Sequence, residues 1–518
     1  MKTLEKRIMR KNYFSTSTGK FAGLTALVFS ILGKFLGYIR TLITAALFGA
    51  GAVVDVFHVT TGVADLLVGT TRLSVETALL PELSRLRRDQ KQAAEFSLMA
   101  VSLWICLGLS TLYAFLFLIF PKEVMNLFAF GFRDARLELG IKMLALLVPF
   151  LFVSALYGLL TTWALHTGKL TLPSLVESLY NPIAIPLLLI LAPFYGALAL
   201  PLSLSLGWTA RLAIMLYAMK GIPWTWTEIP WSSLGRVGKN ALYCVGMIGA
   251  GTLYQITDRF FASLLQVGTV AALGYAAFIY VLPLTLMENP LQIFLARSSR
   301  TAVESPEQGP YAVERMVRVG FYYFLPLGLG VAAMARPLIS LAFGYGAFTE
   351  TATALAGQCL SAYAVALAFA LGGAVLWRYA QSRGKLKEVM LVGYATVLLN
   401  VVFDWVFAKL WGAPGIALAT SLVTVIGLFV NVRVLLPTGA GGRLAGLSLR
   451  LLPWSLAWGL PLYWLAGKST FWALAAGGTA LLANWLLLER LPMFSDVPPE
   501  WMPRILVKEM LAGLRKAA

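Results

Sequence analysis

Apolar runs of roughly 20 residues recur from one end of this chain to the other, and no other feature constrains its folding more. That length is what the hydrocarbon core of a bilayer demands of a helix. A soluble protein could bury one or two such runs in a core, but not a dozen. With 59% hydrophobic and only 13% charged residues, the chain reads as a polytopic membrane protein. The runs are continuous, whereas a barrel would show short alternating segments. In hydrocarbon every backbone N–H must also find its acceptor locally. The expected fold is therefore all-α, an integral membrane bundle.

About fourteen transmembrane helices are expected, near 21–49, 52–80, 94–120, 139–165, 172–193, 196–219 and 240–266 in the first half. The second half supplies 270–296, 312–335, 351–378, 388–409, 413–436, 446–466 and 470–488. The first span is too long for a signal-peptide core, and no small-residue cleavage site follows it.

The net charge of +18 is a topology signal, not a nucleic-acid surface, because most Lys and Arg sit in short connections beside the spans. The N-terminal tail is basic (Lys2, Lys6, Arg7, Arg10, Lys11, Lys20). So are the second connection (Arg85, Arg87, Arg88, Lys91), the tenth (Arg383, Lys385, Lys387) and the C-terminal tail. Roughly 27 positive residues fall on the N-terminal side and about 6 on the other. Both termini are then cytoplasmic, which requires an even number of crossings. Cys106, Cys244 and Cys359 all lie in apolar runs without metal spacing, and His58 and His166 cannot make a histidine-rich site.

A weak internal repeat runs at an offset of about 216 residues. Phe132 through His166-Thr167-Gly168-Lys169 resembles Phe348 through Ser382-Arg383-Gly384-Lys385. Two six-helix lobes related by a pseudo-two-fold axis, 1–220 and 221–437, would produce this pattern, leaving 438–518 as two C-terminal helices and a cytoplasmic tail. Pro182, Pro283 and Pro290 lie within spans and predict kinks.

Ionisable residues inside spans cost about 2.5 kcal/mol or more on insertion scales and ask for a reason. The first two spans hold Lys34, Arg40, Asp55, His58, Asp65, Arg72 and Glu76. A cationic cavity would hold a phosphate-bearing cargo through charge-assisted hydrogen bonds. An internal ion pair, Arg40 with Asp55 for example, would merely tie two helices together. In the second half Asn400 and Asp404 share a helix face at i, i+4, Thr420 lies in the next span and Asp258 in the seventh. Oxygen donors at membrane depth suit Na⁺ or a titrating proton, or form a polar cluster between helices. Glu177, Arg211, Glu288 and Arg318 are further in-span charges to which the sequence assigns no partner. There is no phosphate-cradling Gly-Lys-Ser/Thr loop and no catalytic constellation, so the chain reads as a secondary transporter rather than an enzyme.

The stretch Gly33-Lys34-Phe35-Leu36-Gly37-Tyr38-Ile39-Arg40, followed by Phe48-Gly49-Ala50-Gly51 and Asp55-Val56-Phe57, resembles the MviN/MurJ family of lipid II flippases, within the multidrug/oligosaccharidyl-lipid/polysaccharide exporter superfamily. Asp258-Arg259 with Ala262-Ser263, Gly274-Tyr275-Ala276, Leu282-Pro283 and Tyr345-Gly346-Ala347-Phe348-Thr349 extend the resemblance over nearly the whole chain. It implies an inner-membrane flippase that carries an undecaprenyl-pyrophosphate-linked peptidoglycan precursor outward by alternating access, acting as a monomer without a resident cofactor. The family's cationic cavity would fall on Lys34, Arg40 and Asp55, with Arg72 and Arg259 as further cations. Its sodium site would fall on Asp258, Asn400, Asp404 and Thr420, and the last two helices would form a groove for the lipid tail. The chain departs from the family pattern where it reads Asp65-Leu66-Leu67-Val68-Gly69 and Ala277-Phe278, so a different lipid-linked glycan stays open as cargo. A cation-coupled multidrug antiporter and a non-transporting scaffold for envelope synthesis are the other readings.

Overall fold

A computed structural model describes residues 16–219, 230–287, 291, 309–383 and 385–488, and among them the chain is helical with no strand. Most of both basic tails, with Glu288, Pro290 and Gly384, lie outside the described residues. The helices begin with α1 (Thr16–Phe48), α2 (Ala52–Ala64), α3 (Thr70–Arg88) and α4 (Gln92–Ile119). There follow α5 (Pro121–Phe128), α6 (Asp134–His166), α7 (Leu172–Ser178), α8 (Tyr180–Tyr195), α9 (Ala199–Ala218) and α10 (Trp231–Ser263). The chain continues through α11 (Thr269–Leu286), α12 (Gly309–Ala333), α13 (Ala335–Phe343), α14 (Glu350–Ala364) and α15 (Leu367–Arg383). It closes with α16 (Leu386–Trp411), α17 (Ala413–Leu435), α18 (Ala440–Ala466) and α19 (Thr470–Leu488).

Among the described residues nine stretches are long and apolar enough to cross a bilayer, and α14 with α15, bent by 52°, makes a tenth. One of the nine, Leu172–Ala218, is 47 residues long, about twice what one crossing needs, and it turns back on itself at Gly196. Counting α2–α3, α7–α8 and α14–α15 as single segments and leaving out the short α5 and α13, the described helices form fourteen segments at the fourteen expected positions. Between α7 and α8 the chain breaks at Leu179, shortly before Pro182, which then stands in the first turn of α8 and costs no helical hydrogen bond. Pro283 lies inside α11.

The packing divides into two compact units, one of residues 1–270 with 345–348 and the other of 271–344 with 349–518. In the first, α6 is the central element, flanked by α2, α3, α4 and α9, and it contributes Met143, Leu144, Leu147 and Leu151 as fully buried residues. Helix α1 lies against α7 and α8, and α10 against α3. In the second unit α12, α15, α17 and α18 enclose a core of Val317, Phe321, Leu371, Val375, Leu428, Val432 and Leu444. Helix α18 is pinned to α12 by a fork. Arg443 Nε donates to one oxygen of the buried Glu314 and Nη2 to the other, each at 2.6 Å.

The sequence repeat reappears in backbone form. The tight turn between α8 and α9 is made at Gly196 (φ 53°, ψ −126°), and that between α16 and α17 at Gly412 (φ 64°, ψ −137°), 216 positions later. Both conformations are open only to glycine, so the two hairpins are built the same way.

Candidate functional site

Of the charges that the sequence places in the first two spans, Arg40, His58, Asp65, Arg72 and Glu76 converge inside the first unit. Asn181 Nδ2 donates to the Gly33 carbonyl at 2.9 Å, and Gly33 and Gly37 have no side chain to hold α7 and α8 away from α1. This contact brings Tyr180 beside Arg40, whose Nη1 donates to the Tyr180 hydroxyl at 3.2 Å while the guanidinium lies 5.3 Å from the ring centre. Lys34, one turn before Arg40 and a half further, is exposed.

On α3, Arg72 approaches Glu76 at 3.9 Å and stands 5.6 Å from the Trp208 ring of α9. Its aliphatic stem fits because α6 offers Gly158 there. A Cβ at that position would overlap Arg72 Cγ and lie 3.3 Å from Glu76 Oε1. Arg211, a charge without a partner in the sequence reading, is 4% exposed and stacks on two rings, 3.8 Å from Tyr157 and 4.4 Å from Trp208. The two rings meet edge to face at 5.8 Å. Cation–π contacts of this desolvated kind are worth roughly 2 kcal/mol each. Even so, Arg40, Arg72 and Arg211 each keep a buried Nε–H, and Glu76 a buried Oε1, with no hydrogen-bond partner among the described residues. Such donors are costly unless they meet an anion or water.

Helix α10 adds Arg259. Its guanidinium packs against α2 at Gly62, where a Cβ would overlap Nη1 and stand 2.8 Å from Cζ. Asp65 lies within electrostatic reach of Arg259, Arg72 and Arg40, and His58 of Arg259 and Arg40. Asp65 opens a five-residue π-helical turn, Asp65–Gly69, between α2 and α3, and its side chain is exposed although it stands mid-span. Single π turns of this kind inside helices are frequent at functional sites. Asp258, adjacent to Arg259, is buried, so the tandem pair faces different surroundings, as a 100° step around the helix requires. Asp55 is 1% exposed, and its Oδ2 accepts the Gly268 N–H at 2.6 Å. Arg40, Arg72, Arg211 and Arg259 thus gather around Asp65 and Glu76, with Glu177 beside Glu76, an arrangement able to hold an anionic group at membrane depth.

In the second unit Asn400 and Asp404 are both fully buried, and Asn400 Nδ2 donates to Asp404 Oδ2 at 2.7 Å. On the neighbouring α17 the Thr420 hydroxyl donates to the Ile416 carbonyl at 3.1 Å. Carboxylate, amide and hydroxyl oxygens are hard donors that fit an alkali cation. Among the described residues no three His, Cys, Asp or Glu side chains gather as a softer metal would need. Asp258 belongs to the first unit.

Sequence reasoning missed Tyr157, Tyr180 and Trp208 as partners of the arginines and Asn181 as the tie to α1, and it assigned Arg211 no partner. Aromatic residues in apolar spans carry no local signal that a cation lies across the bundle.

A model of the family described as "Lipid II flippase MurJ" matches residues 44–483. A "Probable lipid II flippase MurJ" of Synechocystis sp. is 25% identical over 463 residues, covering 84% of this chain and 84% of the relative. Another of that description, from Aquifex aeolicus, is 24% identical over 432 residues, covering 80% and 84%. Among solved structures, a lipid II flippase MurJ in an inward closed conformation superposes with a TM-score of 0.75 at 19% identity, over 91% of this chain and 99% of that one. An inward-facing multidrug resistance MATE family transporter gives a TM-score of 0.67 at 14% identity, over 82% and 98%. At these identities the structural likeness speaks for the fold alone. The family match spans most of the sequence, and this chain belongs to the lipid II flippase MurJ family, multi-pass helical proteins of the bacterial inner membrane.

Proposed function

We propose that this protein carries lipid II, an undecaprenyl-pyrophosphate-linked saccharide, from the cytoplasmic to the outer leaflet by alternating access. The observation that carries the reading is the arginine set of the first unit. Arg40, Arg72 and Arg211 hold buried Nε–H groups that the protein does not satisfy, at a depth where only an anionic partner or water offsets their cost. In this reading Arg40, Arg72 and Arg259 bind the pyrophosphate with Arg211 beside them, and Lys34 meets the headgroup as it enters. Asp55 shapes the turn above them. The basic connections lie in the cytoplasm with both termini, the lobes follow the repeat at 1–220 and 221–437, and the protein works as a monomer. A sodium ion at Asn400, Asp404 and Thr420 couples transport.

The test is growth rescue of a bacterium depleted of its own lipid II flippase. Rescue by the parent chain and its loss in Arg40→Ala support the cargo assignment. Good membrane expression without rescue moves the cargo to another lipid-linked glycan. For the cation, Na⁺-dependent thermal stabilisation is expected to disappear in Asp404→Asn, and its survival there sinks the site.

A further inference from the structure

The motifs around Gly49 and Gly346 have no part in the cargo or cation sites, yet they meet. The strap Tyr345–Phe348, which joins α13 to α14, packs as part of the first unit. The Ala347 N–H donates to the Ala46 carbonyl at 2.8 Å, just before the turn that ends α1. On either side of this bond stands a glycine in the left-handed region, Gly49 at φ 64° and Gly346 at φ 65°. A Cβ on Gly49 would overlap the Ala347 carbonyl oxygen, and one on Gly346 the Ala46 carbonyl oxygen. The turn after α10 closes beside them. Gly268 (φ 90°) donates to Asp55, and a Cβ there would overlap the Ala50 carbonyl oxygen. The Gly131 N–H donates to Ser263 Oγ at 3.2 Å, and its Cβ would come within 2.7 Å of Leu264 Cα.

Four chain segments therefore touch backbone to backbone at the end of the unit remote from the basic connection Arg85–Lys91. Ala347 to Ala46, Gly268 to Asp55 and Gly131 to Ser263 are among the hydrogen bonds that hold this contact, and Tyr345 within the strap is 60% exposed. The other end of α10 is held differently. There Arg236 Nη2 donates to Glu82 Oε1 at 2.6 Å and Nε to Oε2 at 3.1 Å.

We infer that docking of the strap 345–348 on the turn after α1 is the outer gate of the transport path, a backbone latch that closes only because glycine occupies both sides. The inference rests on the transport reading, since a gate needs a path, but its test reads solvent access and uses no cargo. In a chain whose three buried cysteines are replaced by alanine, Thr61→Cys places a reporter on α2 beside Gly62 and Arg259. Its labelling by a membrane-impermeant maleimide is measured in whole cells.

Gly346→Ala and Gly49→Ala should each raise the labelling rate about tenfold, because their clashes exist only in the docked state. Gly51→Ala, in the same turn but with open space around it, should leave the rate unchanged. A parental rate in folded Gly346→Ala, or an equal rise in Gly51→Ala, overturns the gate. Should Gly346→Ala fail to fold, the pair Ala46→Cys and Ala347→Cys decides. Oxidation should cross-link the strap and suppress reporter labelling until reduction, whereas no cross-link, or a cross-link with labelling unchanged, counts against the latch. Labelling as stated without rescue of the depleted host removes the cargo assignment and leaves the gate standing. Rescue with labelling unmoved removes the gate alone.

Discussion

Replacing Arg211 by methionine should leave the protein as stable as before while removing its activity. Taking a guanidinium out of water costs several kcal/mol even after the protein relaxes. Against this, Arg211 gains two cation–π contacts, with Tyr157 at 3.8 Å and Trp208 at 4.4 Å, worth about 4 kcal/mol together. Its Nε–H has no acceptor among the described residues, which adds a further cost of about 1–3 kcal/mol. The sum lies near zero or on the unfavourable side. Methionine fills a similar volume, keeps contact with both rings through its thioether and removes the desolvation cost. Arg211→Met is therefore expected to unfold within about 1–2 kcal/mol of the parent, or above it. Thermal unfolding in detergent measures this, and rescue of the flippase-depleted host measures function. Rescue should be lost in Arg211→Met and only partly restored in Arg211→Lys, which keeps the charge without the planar stack. Full rescue by Arg211→Met would show that the charge is dispensable. A fall in stability of 3 kcal/mol or more would refute the reasoning from the other side, making Arg211 a structural stack.

Gly62→Ala should reproduce the transport defect of Arg259→Ala with a loss of stability of about 1 kcal/mol or less, because the clash falls on the end of a flexible side chain; a large drop in melting temperature would contradict it. Arg443→Ala leaves Glu314 buried without its fork, so it should lower the melting temperature and make the α18–α19 segment more susceptible to limited proteolysis. Restoring the melting temperature with Arg443→Ala/Glu314→Leu is expected, and failure to do so would mean that the pair is not what docks α18.

Much of this protein was settled by its sequence. Apolar runs of bilayer length can satisfy their backbone only as helices, so the helical class and the fourteen segments follow from local composition alone. The offset of 216 residues was legible where Phe132 through Lys169 resembles Phe348 through Lys385, and the turns at Gly196 and Gly412, which the sequence reading did not single out, keep the same offset. The i, i+4 pairing of Asn400 with Asp404 needed only helical geometry. Tertiary structure decided which groups meet across the bundle. Arg40 finds Tyr180 140 residues away, and Gly268 finds Asp55 at a separation of 213. Arg72 fits only because Gly158 of another helix makes room for its stem. A span records its own length and hydropathy but not which of its faces will meet which neighbour, and near-uniformly apolar helices carry little amphipathic signal to say so. That choice is made by close-packing of the whole unit, and it turned scattered in-span charges into one arginine-rich site.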